Sequence, residues 1–484
     1  MTIFSYLLLS LSLQGSEAPD LLDAGSPDIV TERLSTVFDD LEAENLSGYV
    51  AVTHHGEIIF EQGFGAANPA DGTPFTRDTH IDMASIVKTY TGMMAAQLIA
   101  DGRLTPAQRL SDFFPMAPSD KAGITLHQLL THSSGLPEAV ANDSDQISPA
   151  ELLDRVFAAP LSFEPGSQYA YSNVGFSIVA LIIEQVTGQT YEDYLLDTFL
   201  HPAGIHHTGY VRAYGVEGTR PQVAHTEEGQ VLHEWSWGGD SPGWALVGNG
   251  GMVTTIADLV AWRMAYNRGD LISPDAIAIQ QSAYIREGEG APSHYGYGVV
   301  VEDHPNFGRV YWHNGGSGPF TAHWREYADT GYGILAAANT WDVDGDAIML
   351  AATGAIFGVE LRMATTGDGD DWQDFDFDAS PMARLAGDFL DVAQNGDTSR
   401  KREFVETRMF AGLQAAAPMD QHIAMMTRLA GELGGLTLSG IRIDDNEGLV
   451  IVRHAGNGDQ ILIVEIGYEM TNGVAMMSGL RITD

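Results

Sequence analysis

The stretch DMASIVKTYTGMMAAQLIADGRL, residues 82–104, sets Ser85 three positions before Lys88 at the start of a run that reads as a helix. Residues i and i+3 lie one turn apart, so hydroxyl and amine share a face. The unpaired N–H groups of a first helical turn favour negative charge developing at the serine. The following MMAAQLI is apolar, so Lys88 would begin a largely buried helix rather than an exposed one. Taken alone, S-x-x-K is a weak pattern that a serine and a lysine at any helix entry would satisfy. Lysine is scarce here, with Lys88, Lys121 and Lys401 alone in 484 residues, which makes an accidental match harder.

Two more clusters lie downstream. Tyr171-Ser172-Asn173 follows FEPGSQYA and precedes the apolar, helix-like VGFSIVALIIEQV (174–186). A phenol can pass a proton, and an asparagine amide can hold a substrate or Lys88. The competing reading makes Ser172 or Asn173 a helix cap and Tyr171 a packed aromatic. His313-Asn314-Gly315-Gly316 closes the strand-like VYWHN (310–314). Bare backbone at Gly315 and Gly316 would let a substrate approach the strand edge, although an ordinary glycine-rich turn would look the same.

In order and spacing the three clusters resemble the S-x-x-K, Y-x-N and K-T-G set of class C β-lactamases, DD-peptidases and related carboxylesterases. The segments LHQLLTHSSGLP (126–137), FEPGSQYAYSNVGF (163–176), GNGGMVTTIADLVAW (248–262), YGYGVVV (295–301) and WHNGGSGPF (312–320) extend the resemblance over most of residues 27–362. It implies an α+β, β-lactamase/transpeptidase-like domain: an antiparallel sheet with flanking helices, a helical subdomain, and a site in the cleft between them. It also implies an acyl-enzyme at Ser85, proton transfers shared by Lys88 and Tyr171, and Asn173 positioning the partners. The oxyanion hole would be the backbone N–H groups of Ser85 and Gly316.

Which group is the base stays open at this level. Free lysine and tyrosine both titrate near ~10. A neutral Lys88 at pH 7 needs a depression of roughly 3 units, about 4 kcal/mol, and a Tyr171 phenolate beside a charged Lys88 needs a similar total. The two therefore read as a coupled pair.

The third cluster departs from the pattern, because His313 stands where K-T-G has lysine. That lysine is a fixed cation for the carboxylates of penicillins and peptide C-termini, whereas histidine is mostly neutral at pH 7. The expected chemistry is therefore esterase or amide/peptide hydrolysis on neutral or N-terminal substrates, rather than efficient β-lactam turnover. His132 falls in a family-like segment and reads as structural. The adjacent pairs His54-His55 and His206-His207 suit metal chelation poorly, since strand neighbours face opposite ways. No metal and no cofactor is implied.

An amphipathic helix with Val30, Leu34, Val37 and Leu41 opens the domain, then strand-like SGYVAVTH and EIIFEQ join at His55-Gly56, a hairpin signal. Helical runs near 86–101, 174–187 and 255–267 follow, then strand-like runs at 296–302, 308–313, 321–326 and 332–338. This order predicts one antiparallel sheet completed by both ends of the domain. The Asp-rich 363–381 reads as an acidic linker, and 382–484 as a small accessory α+β domain with helices first and four strands after. That unit weakly resembles a nuclear-transport-factor-like cone. It carries no acid/base constellation; shaping access to the cleft, binding a partner and self-association are all open to it, as is the oligomeric state.

Charge sets further bounds. Lys+Arg number 24 against Asp+Glu 65, a formal net charge of -41, which excludes nucleic acid as a partner and disfavours an anionic membrane surface. A solvated acidic surface accounts for it, and adaptation to salty surroundings is the sharper version. The chain has no cysteine, so disulfides, thiol catalysis and a lipoprotein anchor are excluded. Residues 1–18 read as a signal peptide without a basic n-region, which implies a periplasmic or secreted protein. No later stretch is long and apolar enough to span a membrane. The substrate would be a small molecule or peptide. Two other functions compete: a penicillin-recognising sensor that acylates without turnover, and an enzyme-derived scaffold whose C-terminal domain does the work.

Overall fold

The computed structural model describes residues 24–43, 47–210, 241–288, 291–318, 320–339 and 345–359, short strands at 223–225 and 231–233, the segments 388–393, 396–409, 419–432, 437–444, 449–455, 461–471 and 474–483, and a few isolated positions. The apolar leader and the linker at 363–381 fall outside them. The chain divides into two compact units, one spanning Leu11–Met363 and the other made largely of Ala364–Asp484.

In the larger unit, α1 (Pro27–Ala43) leads into β1 (Gly48–His54) and β2 (Glu57–Phe64). The turn between the strands uses His55 at φ 48° and Gly56 at φ 82°, the two left-handed residues a type I′ hairpin requires. β1 pairs antiparallel with Tyr332–Ala338, the last strand of the unit. The sheet then runs through Phe320–Tyr327, Gly308–Ser317, Val300–His304, Ser293–Tyr295 and Ile285–Arg286, eight strands in all. Both ends of the domain complete one sheet, as the element order predicts. The buried stripe of α1 is Val30, Leu34 and Phe38, a strict four-residue spacing, with Val37 only half-buried. Phe38 stacks on Phe60 and Phe64 of β2.

One expected strand is corrected. Residues 296–299 turn instead of extending, and the strand begins at Val300. Gly298 has φ 73°, and a Cβ there would lie 2.0 Å from the carbonyl oxygen of Lys88. Reciprocally, a Cβ on Gly92 would lie 1.8 Å from the carbonyl oxygen of Tyr297. Backbone thus packs directly on backbone where this turn meets the helix α2 (Val87–Ala100).

α2 is buried without a break from Val87 to Ala96, Lys88 included. Beside it lies Asn173–Thr187, also buried along its first three turns, capped by the Ser172 hydroxyl accepting from Gly175 N–H and ended by left-handed Gly188. These two helices pack against each other, while Ile256–Asn267 and Gly345–Phe357 lie against the sheet. The smaller unit contains helices Thr398–Arg408 and Met419–Glu432, then a four-stranded antiparallel meander from Thr437 to Thr483. Helices precede strands there, as the sequence predicts.

Candidate active site

Ser85 sits in a single 3-10 turn, Ala84–Ile86, that runs straight into α2. Entry to this turn is tight: Ala84 adopts φ 42°, a left-handed conformation that costs a residue with a Cβ on the order of 1–2 kcal/mol. The Asp82 carboxylate offsets part of this by accepting the Ala84 N–H at 2.7 Å. Asp82 ends the strand His80–Asp82, which pairs with Val253–Thr255, and Met83 N–H donates to Met252 O, so the turn is fixed from behind. The Ser317 hydroxyl also donates to Asp82. Burial pushes the Asp82 carboxyl up to about 7.

The strand Gly308–Ser317 passes hard against this turn. A Cβ on Gly315 would lie 2.3 Å from Met83 O and 2.9 Å from Ser85 N. Gly315 is therefore required for contact between strand and serine turn within the protein itself, a use the sequence does not reveal. Gly316 follows it, paired in register with Thr321.

Lys88 is fully buried, and its Nζ lies 3.0 Å from Ser85 Oγ and 2.8 Å from the carbonyl oxygen of Asn249. Burial drives its ammonium down to about 7, against the opposing pull of Asp143 and Glu138. Asn249 is held in turn, its side-chain N–H group donating to Ser177 Oγ and Ala245 O at 2.7 Å each. Sequence reasoning assigns Asn249 no role; its one signal is a polar residue inside the glycine-rich GNGGM.

Tyr171 closes the other side of the amine, with its ring centroid 4.8 Å from Lys88 Nζ. Asn173 opens the helix Asn173–Thr187, and its N–H donates to Glu138 O at 2.9 Å. Its side-chain oxygen is buried with no hydrogen-bond partner among the described residues and lines a small cavity together with Asp143, Ser177 and Ala245. Ser85, Lys88 and Tyr171 thus converge, whereas no hydrogen bond joins Asn173 to Lys88 among the described residues.

His313 is buried and held at both nitrogens. Nδ1 lies 2.6 Å from Asn314 O, which only accepts, so Nδ1 carries the proton and Nε2 accepts from the Tyr295 hydroxyl at 2.9 Å. Burial and nearby Lys88 push it down to about 3, so it is neutral at any working pH. Among the described residues no set of three His, Asp or Glu side chains gathers as a metal site. No helix among them is long and apolar enough to cross a membrane.

A family model described as Beta-lactamase matches residues 34–356, which contain the whole of this constellation. The chain belongs to the beta-lactamase family. Penicillin-binding protein 4* of Bacillus subtilis (strain 168) is 28% identical over 353 residues, covering 68% of this chain and 76% of that protein. Esterase EstB of Burkholderia gladioli is 33% identical over 214 residues, 40% of this chain and about half (54%) of the esterase. Among solved structures, the octameric penicillin-binding protein homologue from Pyrococcus abyssi superposes with a TM-score of 0.61 at 20% identity, over 92% of this chain and 95% of that one. This last likeness supports the β-lactamase/transpeptidase-like fold. The third motif of this chain carries a neutral imidazole, His313, bonded internally to Tyr295 and Asn314.

Proposed function

We propose that this chain is a serine hydrolase that forms an acyl-enzyme at Ser85 and cleaves ester or amide bonds of neutral or amine-bearing substrates. The observation that carries the reading is the buried Lys88 amine, 3.0 Å from Ser85 Oγ and titrating near about 7. Neutral Lys88 accepts the Ser85 proton while Oγ attacks the carbonyl carbon. The oxyanion accepts from the N–H groups of Ser85 and Gly316, each typically supplying about 3–4 kcal/mol to the transition state. Collapse expels the alcohol or amine, which recovers the proton from Lys88 directly or through Tyr171. Water then attacks the acyl carbon with Lys88 or Tyr171 as base, releasing the acid and Ser85.

Substrate charge follows from three features. His313 provides no cation for a carboxylate. Glu138 and Asp143, on the loop after Pro137, lie close enough to Lys88 to favour its charged form, while burial raises both carboxyls above their usual range. Asn173, whose side-chain oxygen is buried without a hydrogen-bond partner among the described residues, lies near Asp143 and adds acceptor character to that side. An esterase and a penicillin-binding protein among the relatives are consistent with acyl transfer on carbonyl substrates. The leader at 1–18 supports an exported, periplasmic or secreted enzyme, tested by sequencing the amino terminus of the mature protein.

Hydrolysis of p-nitrophenyl acetate by the wild type and by Ser85→Ala tests the nucleophile: the expected rate collapses in the variant, and an equal rate in both refutes it. A matched pair of D-alanine p-nitroanilide and its N-succinyl derivative tests the charge. The free amine should be preferred at least tenfold at low salt, and preference for the succinyl compound overturns the substrate class.

A further inference from the structure

Buried beneath the second motif is a residue with no part in the reaction as written, His132. It follows the short helix Leu126–Leu130, is wholly buried, and adopts φ 55° although it is not glycine. Its carbonyl oxygen accepts the Ala170 N–H at 2.9 Å, and its Nδ1 accepts the Ser172 N–H at 3.0 Å. Ala170 and Ser172 are the residues on either side of Tyr171. The His132 ring centroid lies 4.3 Å from that of Tyr171 and 4.5 Å from that of Tyr295, whose hydroxyl holds His313.

Because Nδ1 accepts, the single proton of the neutral ring is on Nε2. That N–H is buried with no acceptor among the described residues, a desolvation penalty that an apolar ring of the same size would avoid. Burial and the charge of Lys88 push the ring well below its usual range, so it stays a neutral acceptor. Packing alone would be served better by phenylalanine. What phenylalanine cannot supply is an acceptor for the Ser172 N–H, which is itself buried.

We infer that His132 is a positioning residue that fixes Tyr171 relative to Lys88 by binding the N–H groups of both its neighbours, Ala170 and Ser172. The inference rests on the acyl-hydrolase reading for its kinetic consequence, but not for its geometry. Two substitutions separate the roles. His132→Asn tolerates the left-handed backbone and keeps a side-chain acceptor, but removes the ring. His132→Phe keeps the ring and removes the acceptor.

The measurements are kcat and KM on p-nitrophenyl acetate against pH, and amide hydrogen exchange of residues 168–176 by mass spectrometry. The expected result is a 10- to 100-fold fall in kcat for His132→Phe with KM nearly unchanged, a displaced acid limb, and faster exchange at 168–176. His132→Asn should recover kcat to within a few-fold of wild type. The opposite ranking, with His132→Phe active and protected and His132→Asn impaired, overturns the inference in favour of ring packing. A wild type that hydrolyses nothing refutes the proposed function instead, and the exchange comparison still decides the role of His132.

Discussion

Lys88 Nζ lies between two oxygens, Ser85 Oγ at 3.0 Å and the Asn249 carbonyl at 2.8 Å, with no carboxylate in salt-bridge contact among the described residues. The fixed carbonyl orients the amine without holding it charged, while burial favours its neutral form. Below about pH 7 the base is protonated, so kcat/KM should fall tenfold per pH unit on the acid side and level off above it. Lys88→Arg, which cannot lose its proton, should abolish that limb and lower the rate by about 10²–10⁴. A flat profile between pH 5 and 9 in the wild type would assign the base elsewhere.

Gly315→Ala forces a methyl group into the serine turn, where the obstructing atoms are backbone and cannot rotate away. Overpacking of this kind costs about 1–3 kcal/mol, and here the strain lands on the nucleophile. We expect a lowered urea midpoint together with at least a tenfold slower reaction of Ser85 with a fluorophosphonate. Loss of stability with an unchanged acylation rate would separate this glycine from the chemistry.

A contrasting glycine provides the control. Gly56 has φ 82°, and a methyl group added there would meet nothing within 4 Å, so Gly56→Ala incurs only backbone strain. Equilibrium denaturation should show a loss of about 1 kcal/mol, and kinetic constants should match the wild type.

Asp82 makes a prediction about pH and stability. Its carboxyl is raised from 3.8 to about 7, so between those values the native state holds a proton that the unfolded chain releases. The associated stability is present below about pH 4 and is lost as pH rises through 7, about 4 kcal/mol over the window. Asp82→Asn retains an acceptor for Ala84 N–H and removes the titration. Urea denaturation at pH 4.5 and pH 8 should therefore show a smaller decline for the variant than for the wild type. Parallel declines would mean that Asp82 is ionised throughout.

Much of this arrangement is written locally. His55-Gly56 predicts its hairpin because only a few residue types accept two successive left-handed positions. The pairing of Ser85 with Lys88 follows from helical spacing alone. What escapes local reading depends on distant partners. The run from 296 to 302 is apolar enough for a strand, yet Gly298 turns there to let α2 approach, a demand made by residues 88–92. Asn249 acts through its main-chain carbonyl, which no side-chain pattern reports. His132 binds a peptide group 40 positions away, and its motif carries no hint of which nitrogen faces it. His313 reads correctly as a weak cation by residue type, whereas its bonds to Tyr295 and Asn314 appear only once the strands are paired.

The pairing of β1 with Tyr332–Ala338 fixes when this protein can become a protein at all. A ribosome delivers the opening hairpin early, but its neighbour in the sheet emerges only after nearly the whole domain has been made. Until then the apolar strands and the buried helices have no lasting partners, and such long-delayed closure is slow and exposed to aggregation. The chain's excess of Asp and Glu over Lys and Arg, which reaches a formal net charge of -41 in full, opposes association between copies. Its acidity thus guards the nascent molecule during its wait, before any cleft exists for a substrate to enter.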